Sequence, residues 1–128
     1  MTRKTEDTEI YISSYDLLQV LSHTVKYMRR DFKGILGMPS MNLCTDIILS
    51  IIKTNSLKDA DRRVEELERM SDLINRLIIN IRLLKDLKLI DPSRFARCIE
   101  LSTSMSCQCE RWLSYCKRSR NRMEQAPT

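Results

Sequence analysis

The chain has 128 residues, enough for one domain with a single core, and its 42% hydrophobic and 30% charged residues are typical of a globular rather than a disordered protein. Two glycines and three prolines are too few for a fold built on many turns, so the composition favours long helices. The formal net charge of +5 is compatible with a nucleic-acid partner but does not require one.

The N-terminal sequence and the cysteine count indicate the compartment. The first residues are polar and charged, unlike a secretory signal, and the longest apolar run, 47–52, is interrupted by Ser50 and too short to span a bilayer. Five cysteines, an odd number, favour reduced thiols in a chain without an export signal. We therefore expect a cytoplasmic protein that does not enter a membrane.

The first predicted helix, roughly residues 14–33, follows a loose N-terminal arm, residues 1–12. Ser13 and Ser14 are suitable N-caps, and apolar residues then recur at spacings of three and four. These apolar residues are Leu17, Leu21, Val25, Met28 and Phe32.

The only two glycines of the chain, Gly34 and Gly37, predict the turn between the first and second helices. Pro39 fits the first turn of the second helix, because the N–H that proline lacks has no partner there. The predicted inner stripe comprises Met41, Cys44, Ile48 and Ile51, widened by Leu43, Ile47 and Ile52. A break is predicted at residues 54–56.

The third predicted helix is the longest, roughly residues 58–89. Its apolar stripe comprises Val64, Leu67, Met70, Leu73 or Ile74, Leu77, Ile81 and Leu84. Asp91 as N-cap and Pro92 at the first helical position start the fourth helix, which we expect to end near Lys117. The inner stripe of the fourth helix comprises Phe95, Cys98, Ser102, Met105, Cys109, Trp112 and Cys116. Residues 119–128 are polar and lack apolar periodicity, which predicts a basic disordered tail.

Four amphipathic helices with short connections bury their stripes most simply as an antiparallel, up-down-up-down bundle. The predicted fold class is therefore all-α. The four-helix bundle is expected to occupy residues 13–118, between the N-terminal arm and the tail.

Residues that could carry catalysis or hold a metal do not converge in the sequence. His23 is the only histidine, whereas metal sites and nucleophile–base pairs usually need more. Cys107 and Cys109 point about 200° apart on a helix, so they cannot hold one ion together. The glutamates within residues 65–68 lie among arginines, which predicts a solvated, ion-paired face. We therefore predict no enzymatic activity, no metal and no cofactor.

The basic residues are more informative about function than the candidate catalytic and metal-binding residues. Arg62, Arg69 and Arg76 are spaced by seven, so they drift only about 20° per step and form one stripe at the border of the apolar face. The residues predicted to bind nucleic acid or a partner are Arg62, Arg69, Arg76, Arg82, Lys85, Lys117, Arg118, Arg120 and Arg122. Such a surface would contact the phosphate backbone without sequence preference. Ordinary solubilising charge is the alternative.

Three apolar residues of the third helix, Ile79, Leu83 and Ile90, lie outside the main stripe. Exposed apolar residues grouped in this way indicate self-association or a partner surface. Packing against the fourth helix is the alternative.

The segment 81–90 has the sequence IRLLKDLKLI and is followed by a polar cap and the fourth helix. This arrangement resembles the accessory variability determinants of diversity-generating retroelements. This four-helix-bundle superfamily also includes proteins encoded in intervening sequences of bacterial 23S ribosomal RNA genes. Trp112-Leu113, shortly before the basic tail, is similar to the near-terminal tryptophan of the family, and the region around Gly37 is similar to its loop. The resemblance covers roughly residues 15–118.

This resemblance implies a homopentameric barrel of bundles that binds a reverse transcriptase and its template RNA, with DNA as a further candidate ligand. Such an accessory protein supports mutagenic complementary-DNA synthesis, while the reverse transcriptase supplies the chemistry. Arg82 corresponds to the arginine of the family's third-helix motif.

Two alternatives accompany this hypothesis. One is an interaction protein of the ribosomal intervening-sequence type, without a retroelement role. The other is a bundle-type RNase of the HEPN class, which needs an arginine followed by a histidine late in the bundle, whereas His23 lies in the first helix.

Overall fold

The computed structural model describes residues 5–125, which form four long helices joined by short connections, with no strand in that range. The helices are α1 (Glu9–Lys26), α2 (Met38–Ser56), α3 (Ala60–Asp86) and α4 (Pro92–Gln125). A 3-10 turn, Thr5–Asp7, precedes α1, and a helical turn, Arg30–Phe32, continues through a π-helical turn, Lys33–Gly37, into α2. The predicted all-α fold class is confirmed.

The four helices close into a bundle in which α1 and α3 each pack between α2 and α4. Hydrogen bonds between side chains show how α2 and α3 are aligned. Ser50 Oγ donates to Glu66 Oε1 at 3.1 Å near the end of α2, and Asn80 Nδ2 donates to Ser40 Oγ at 3.2 Å near its start. These two helices are therefore antiparallel, as an up-down-up-down bundle requires.

The core follows the predicted apolar stripes closely. In α3 every predicted position is buried, as are Cys98, Ser102, Met105, Cys109 and Cys116 in α4. Trp112 is half-buried and packs against this core. The prediction for Ile52 is wrong, because its side chain is 44% exposed on the outside of α2.

The predicted N-terminal arm, residues 1–12, is already helical from Glu9 onward. Thr8 caps this helix with its hydroxyl, and Ile10 is buried in the core. The serines predicted as caps lie inside α1, where Ser14 Oγ donates to the carbonyl of Ile10 at 2.7 Å. The first four residues of the arm lie outside the described residues.

The turn predicted at the two glycines is also misplaced. The chain turns at residues 27–29, and both glycines are helical. A Cβ on Gly37 would lie 3.0 Å from Sδ of Met28 and 3.1 Å from Cγ1 of Val25, whereas a Cβ on Gly34 would meet nothing within 4 Å. Gly37 therefore allows the start of α2 to approach α1 closely.

These two glycines provide a matched pair of variants. Gly37→Ala should lower the free energy of unfolding by about 1–3 kcal/mol, because the branched side chain of Val25 cannot rotate away from the added methyl group. Gly34→Ala should raise it by up to about 1 kcal/mol, because alanine is the better helix former and the site is open. Urea unfolding measures the change in the free energy of unfolding for each variant. Equal changes in the two variants would contradict the close contact at Gly37.

The connection between α3 and α4 is built by backbone hydrogen bonds. Lys88 has a positive φ of 58°, and its N–H donates to the carbonyl of Lys85, while the N–H of Leu89 donates to that of Leu84. These are the two bonds of a Schellman motif. Asp91 then accepts the N–H of Arg94 at 2.8 Å, so the predicted cap of the fourth helix is confirmed.

Helix α4 continues to Gln125, well beyond the predicted end near Lys117. The disordered tail predicted for residues 119–128 is therefore wrong for 119–125, and 126–128 lie outside the described residues. Basic side chains near a helix C-terminus interact favourably with the helix dipole, and this helps to explain why a polar segment remains helical.

The five cysteines divide into one exposed residue, Cys107, and four buried ones. Burial raises the pKa of the Cys44 and Cys109 thiols to about 12 and that of Cys98 to about 11. Burial also raises the pKa of Cys116. Because the thiolate is the reactive species, these four thiols are protected both by low access and by protonation.

A thiol reagent at neutral pH should therefore modify Cys107 quickly and the other four cysteines only as fast as the protein unfolds. Cys107→Ser should remove the fast phase, and denaturant should make all five thiols of the parent chain react. A second fast thiol in the native protein would contradict the burial of these side chains.

Candidate nucleic-acid interface

The stripe Arg62, Arg69 and Arg76 lies along the edge of α3 that adjoins α2. Arg69 Nη1 is 3.1 Å from Oε1 of Glu66, a carboxylate that is only 6% exposed. The sequence predicts a solvated, ion-paired face for Glu66; the ion pairing is confirmed, but the solvated position is wrong. Glu66 is a buried group on the side of α3 that packs against α2.

Glu66 is bound by three side chains, one from α3 and two from α2. Ser50 Oγ donates to its Oε1 at 3.1 Å, Lys53 Nζ is 3.5 Å from its Oε2, and Arg69 completes the set. A buried carboxylate without such partners would cost several kcal/mol. Arg69 therefore has a structural role, which leaves it less available to an external phosphate than its spacing suggests.

The other two arginines of the stripe are exposed. Arg62 borders a shallow hollow shared with Lys53 and Glu65, and Arg76 lies two turns beyond Arg69. Neither forms an ion pair with another described residue. Both are therefore free to meet a polyanion.

Arg82 and Lys85 lie on the opposite edge of α3, beside α4. Arg82 lies six positions after Arg76, which is a rotation of about 240° around a helix. Arg82 lines a groove with Phe95 and Ile99 of α4, and Lys85 Nζ sits 4.9 Å from the ring centroid of Phe95. The basic residues of α3 thus form two surfaces rather than one.

The remaining predicted residues are helical side chains of α4. Lys117, Arg118 and Arg122 are exposed, whereas Arg120 is partly buried, with its Nε 3.9 Å from Oδ1 of Asp61 at the start of α3. This contact places the end of α4 beside the start of α3. We define the C-terminal basic end as Arg62, Lys117, Arg118, Arg120 and Arg122.

Sequence reasoning missed the outer face of α2. The exposed residues there include Met38, Leu49 and Ile52, at 45%, 58% and 44% exposure, together with Asn42 and Thr45. These five residues follow one another at spacings of four and three, so they form one uncharged stripe on the outside of the bundle, which we call the α2 outer face. The sequence does contain a sign of this face, because α2 is apolar over most of its circumference. In the sequence analysis, this apolar character is interpreted as a wide inner stripe.

On α3, the predicted exposed apolar group is partly confirmed. Ile79 and Leu83 are 64% and 42% exposed, whereas Ile90 is half-buried against the core. Leu87, also 42% exposed, continues this row. Because α2 and α3 are antiparallel, the row lies at the same end of the bundle as the start of the α2 outer face.

The apolar character of α2 also bears on membranes. Within the described part of the chain, only Arg30–Ser56 is long and apolar enough to cross a bilayer, with a mean hydropathy of 1.6 over its most apolar stretch. This is weak evidence for a membrane span, because the core helix of a soluble protein meets the same criteria.

The predicted candidates for metal binding are also placed by the structure. His23 is exposed, and residues 5–125 contain no group of three His, Cys, Asp or Glu side chains that could hold a metal.

Comparison with known protein families, curated proteins and solved structures gave no match for this chain. The resemblance to the accessory variability determinants therefore depends on the sequence features alone.

Proposed function

We propose that this protein is a non-catalytic accessory protein of a diversity-generating retroelement. In this role it binds the reverse transcriptase and nucleic acid, both template RNA and complementary DNA, and supports mutagenic reverse transcription. It acts in the cytoplasm as a homo-oligomer, for which the resemblance implies five copies.

The observation that carries the proposal is the way in which the segment 81–90 is divided between core and surface. Ile81 and Leu84 are fully buried, whereas Arg82, Leu83 and Leu87 are exposed. The segment that resembles the family thus presents Arg82 on the edge of α3 beside α4, and two leucines on the exposed row of α3. In the proposed assembly the leucines contact a neighbouring copy, and Arg82 remains available to a protein partner that itself holds nucleic acid.

Nucleic-acid binding is supported by the C-terminal basic end. Its exposed residues, Arg62, Lys117, Arg118 and Arg122, have no acidic partner among the side chains that the structure describes. Free cations at one end of a bundle can neutralise neighbouring phosphates and release counterions, which gives binding without sequence preference.

Self-association is supported by the α2 outer face and by the exposed row on α3. Together they place uncharged, mostly apolar side chains on two adjacent helices, and burying those side chains between copies stabilises an assembly. A ring would also repeat the basic end once per copy, so that a net charge of +5 per chain becomes a multivalent surface for a polyanion.

Reconstituted reverse transcription tests the proposal. The reverse transcriptase encoded in the genomic neighbourhood, with its template RNA, should give long, substitution-containing complementary DNA only when this protein is added. Arg82→Ala should reduce that yield, whereas Arg97→Ala, which removes an ion-paired arginine of α4, should not. Equal yields with and without the protein would contradict the retroelement role and favour the ribosomal intervening-sequence alternative.

A further inference from the structure

An open pocket of about 420 Å³ lies at the end of the bundle where α1 begins. All four helices contribute to its wall: Glu9 and Ile10 from α1, Ile51 from α2, Arg63 from α3, and Gln108 and Trp112 from α4. Its volume falls within the range of roughly 300–1,000 Å³ that small-molecule sites occupy. None of these residues belongs to the basic surfaces described above.

Arg63 is the distinctive group in this pocket. Its Nε is buried and has no hydrogen-bond partner among the described residues, and its guanidinium forms no ion pair with them. A buried N–H without a partner is rare in native proteins, because it loses its bond to water and gains nothing in return. Because Nε has no exposed surface, the terminal Nη–H groups, which form no hydrogen bond with a described residue, are the donors that an external ligand in the pocket can reach.

The orientation of the guanidinium is set by its neighbour. Cζ of Arg63 lies 5.9 Å from the ring centroid of Trp112, within the range of a cation–π contact. Packing on the indole restricts the side chain, so less conformational entropy is lost when the group binds a ligand.

The chemistry of the wall selects the ligand. The paired N–H groups of a guanidinium match two oxygens of a phosphate. Ile10, Ile51 and Trp112 offer apolar and aromatic surface beside that position, which suits a planar group attached to the phosphate. Glu9 opposes this choice, since its carboxylate also lines the pocket and repels an anion.

We propose that this pocket binds the phosphate of a nucleotide, with Arg63 as the phosphate ligand and the base against the apolar wall. The nucleotide is either free or the 5′ end of a nucleic-acid strand. Because the pocket is separate from the basic surfaces, this inference does not depend on the proposed function.

Calorimetric titration with adenosine 5′-monophosphate at constant ionic strength tests the site, with fluorescence of Trp112, the only tryptophan of the chain, as a second readout. We expect saturable binding of the nucleotide, and none of adenosine, which lacks the phosphate. Arg63→Met should weaken binding at least about tenfold, and Arg63→Lys should weaken it by less, because it keeps the charge and loses the paired donors. Glu9→Gln should tighten it.

Arg111→Met is the matched control, because it removes an exposed arginine next to Trp112 that neither lines the pocket nor belongs to the basic surfaces. Equal losses in the Arg111 and Arg63 variants, or no saturable binding by the parent chain, would overturn the proposal. Circular dichroism confirms that each variant is folded.

Oligonucleotides with a 5′-phosphate or a 5′-hydroxyl then show whether the bound phosphate belongs to a free nucleotide or to a strand end. A preference for the 5′-phosphate that disappears in Arg63→Met assigns the site to strand ends. Equal binding of the two oligonucleotides assigns it to free nucleotide.

Discussion

Light scattering at micromolar concentration should show a stable multiple of 15.1 kDa for the parent chain, and Leu49→Glu combined with Leu83→Glu should convert it to a monomer. Both leucines are exposed, at 58% on the α2 outer face and 42% on the α3 row. A carboxylate placed in an apolar interface must be desolvated without a partner, which costs several kcal/mol at each of the repeated contacts.

Thr103→Glu combined with Ser114→Glu is the matched control for this prediction, because it adds the same two charges to exposed positions of α4. The control should keep the mass of the parent assembly. A parent chain that is already a clean monomer would contradict self-association, and a double variant with unchanged mass would contradict the assignment of these two surfaces.

Replacing Arg62, Arg118 and Arg122 with alanine should weaken RNA binding by about tenfold to a hundredfold near 0.15 M salt. It should also lower the slope of log K against log[salt] by up to about three, roughly one for each lost phosphate contact. The helices should be preserved, because alanine is at least as good a helix former as arginine. Filter binding or fluorescence anisotropy over a salt series measures both quantities.

A control variant with the same net charge separates a local contact from a general charge effect. Arg29, Arg94 and Arg97 are each ion-paired with an acidic residue, so replacing them with alanine removes three positive charges outside the proposed interface. This control should bind RNA nearly as well as the parent chain. If both triple variants lose affinity equally, net charge alone determines binding and the C-terminal basic end is not a defined interface.

The sequence predicts the core well because the apolar period of α3 is unbroken. Leu67, Met70, Leu77 and Ile81 are all fully buried, and a stripe of that length has only one way to face a core. Helix boundaries were less predictable. Thr8 starts α1 within a charged segment that has no apolar period of its own, and the glycines that suggested a turn instead provide room for a close helix contact at Gly37.

The candidate site was only partly predictable, because the spacing of residues predicts on which side of a helix a side chain lies but not which residues it contacts. The seven-residue period places Arg62, Arg69 and Arg76 on one edge, but it cannot reveal that Arg69 is bound to a buried Glu66. Arg63 was not singled out, since its significance depends on the ring of Trp112, which lies 49 positions later in the chain. Contacts between distant segments are determined by packing rather than by local pattern.

The most direct measurement of the proposed function is retention of the neighbouring reverse transcriptase on the immobilised protein, before and after nuclease treatment. The proposal predicts that the enzyme is retained after nuclease treatment, and that restoring template RNA increases the amount bound. Complete loss of the enzyme once nucleic acid is removed would contradict a direct protein contact. Failure to retain it under either condition would contradict the accessory role itself.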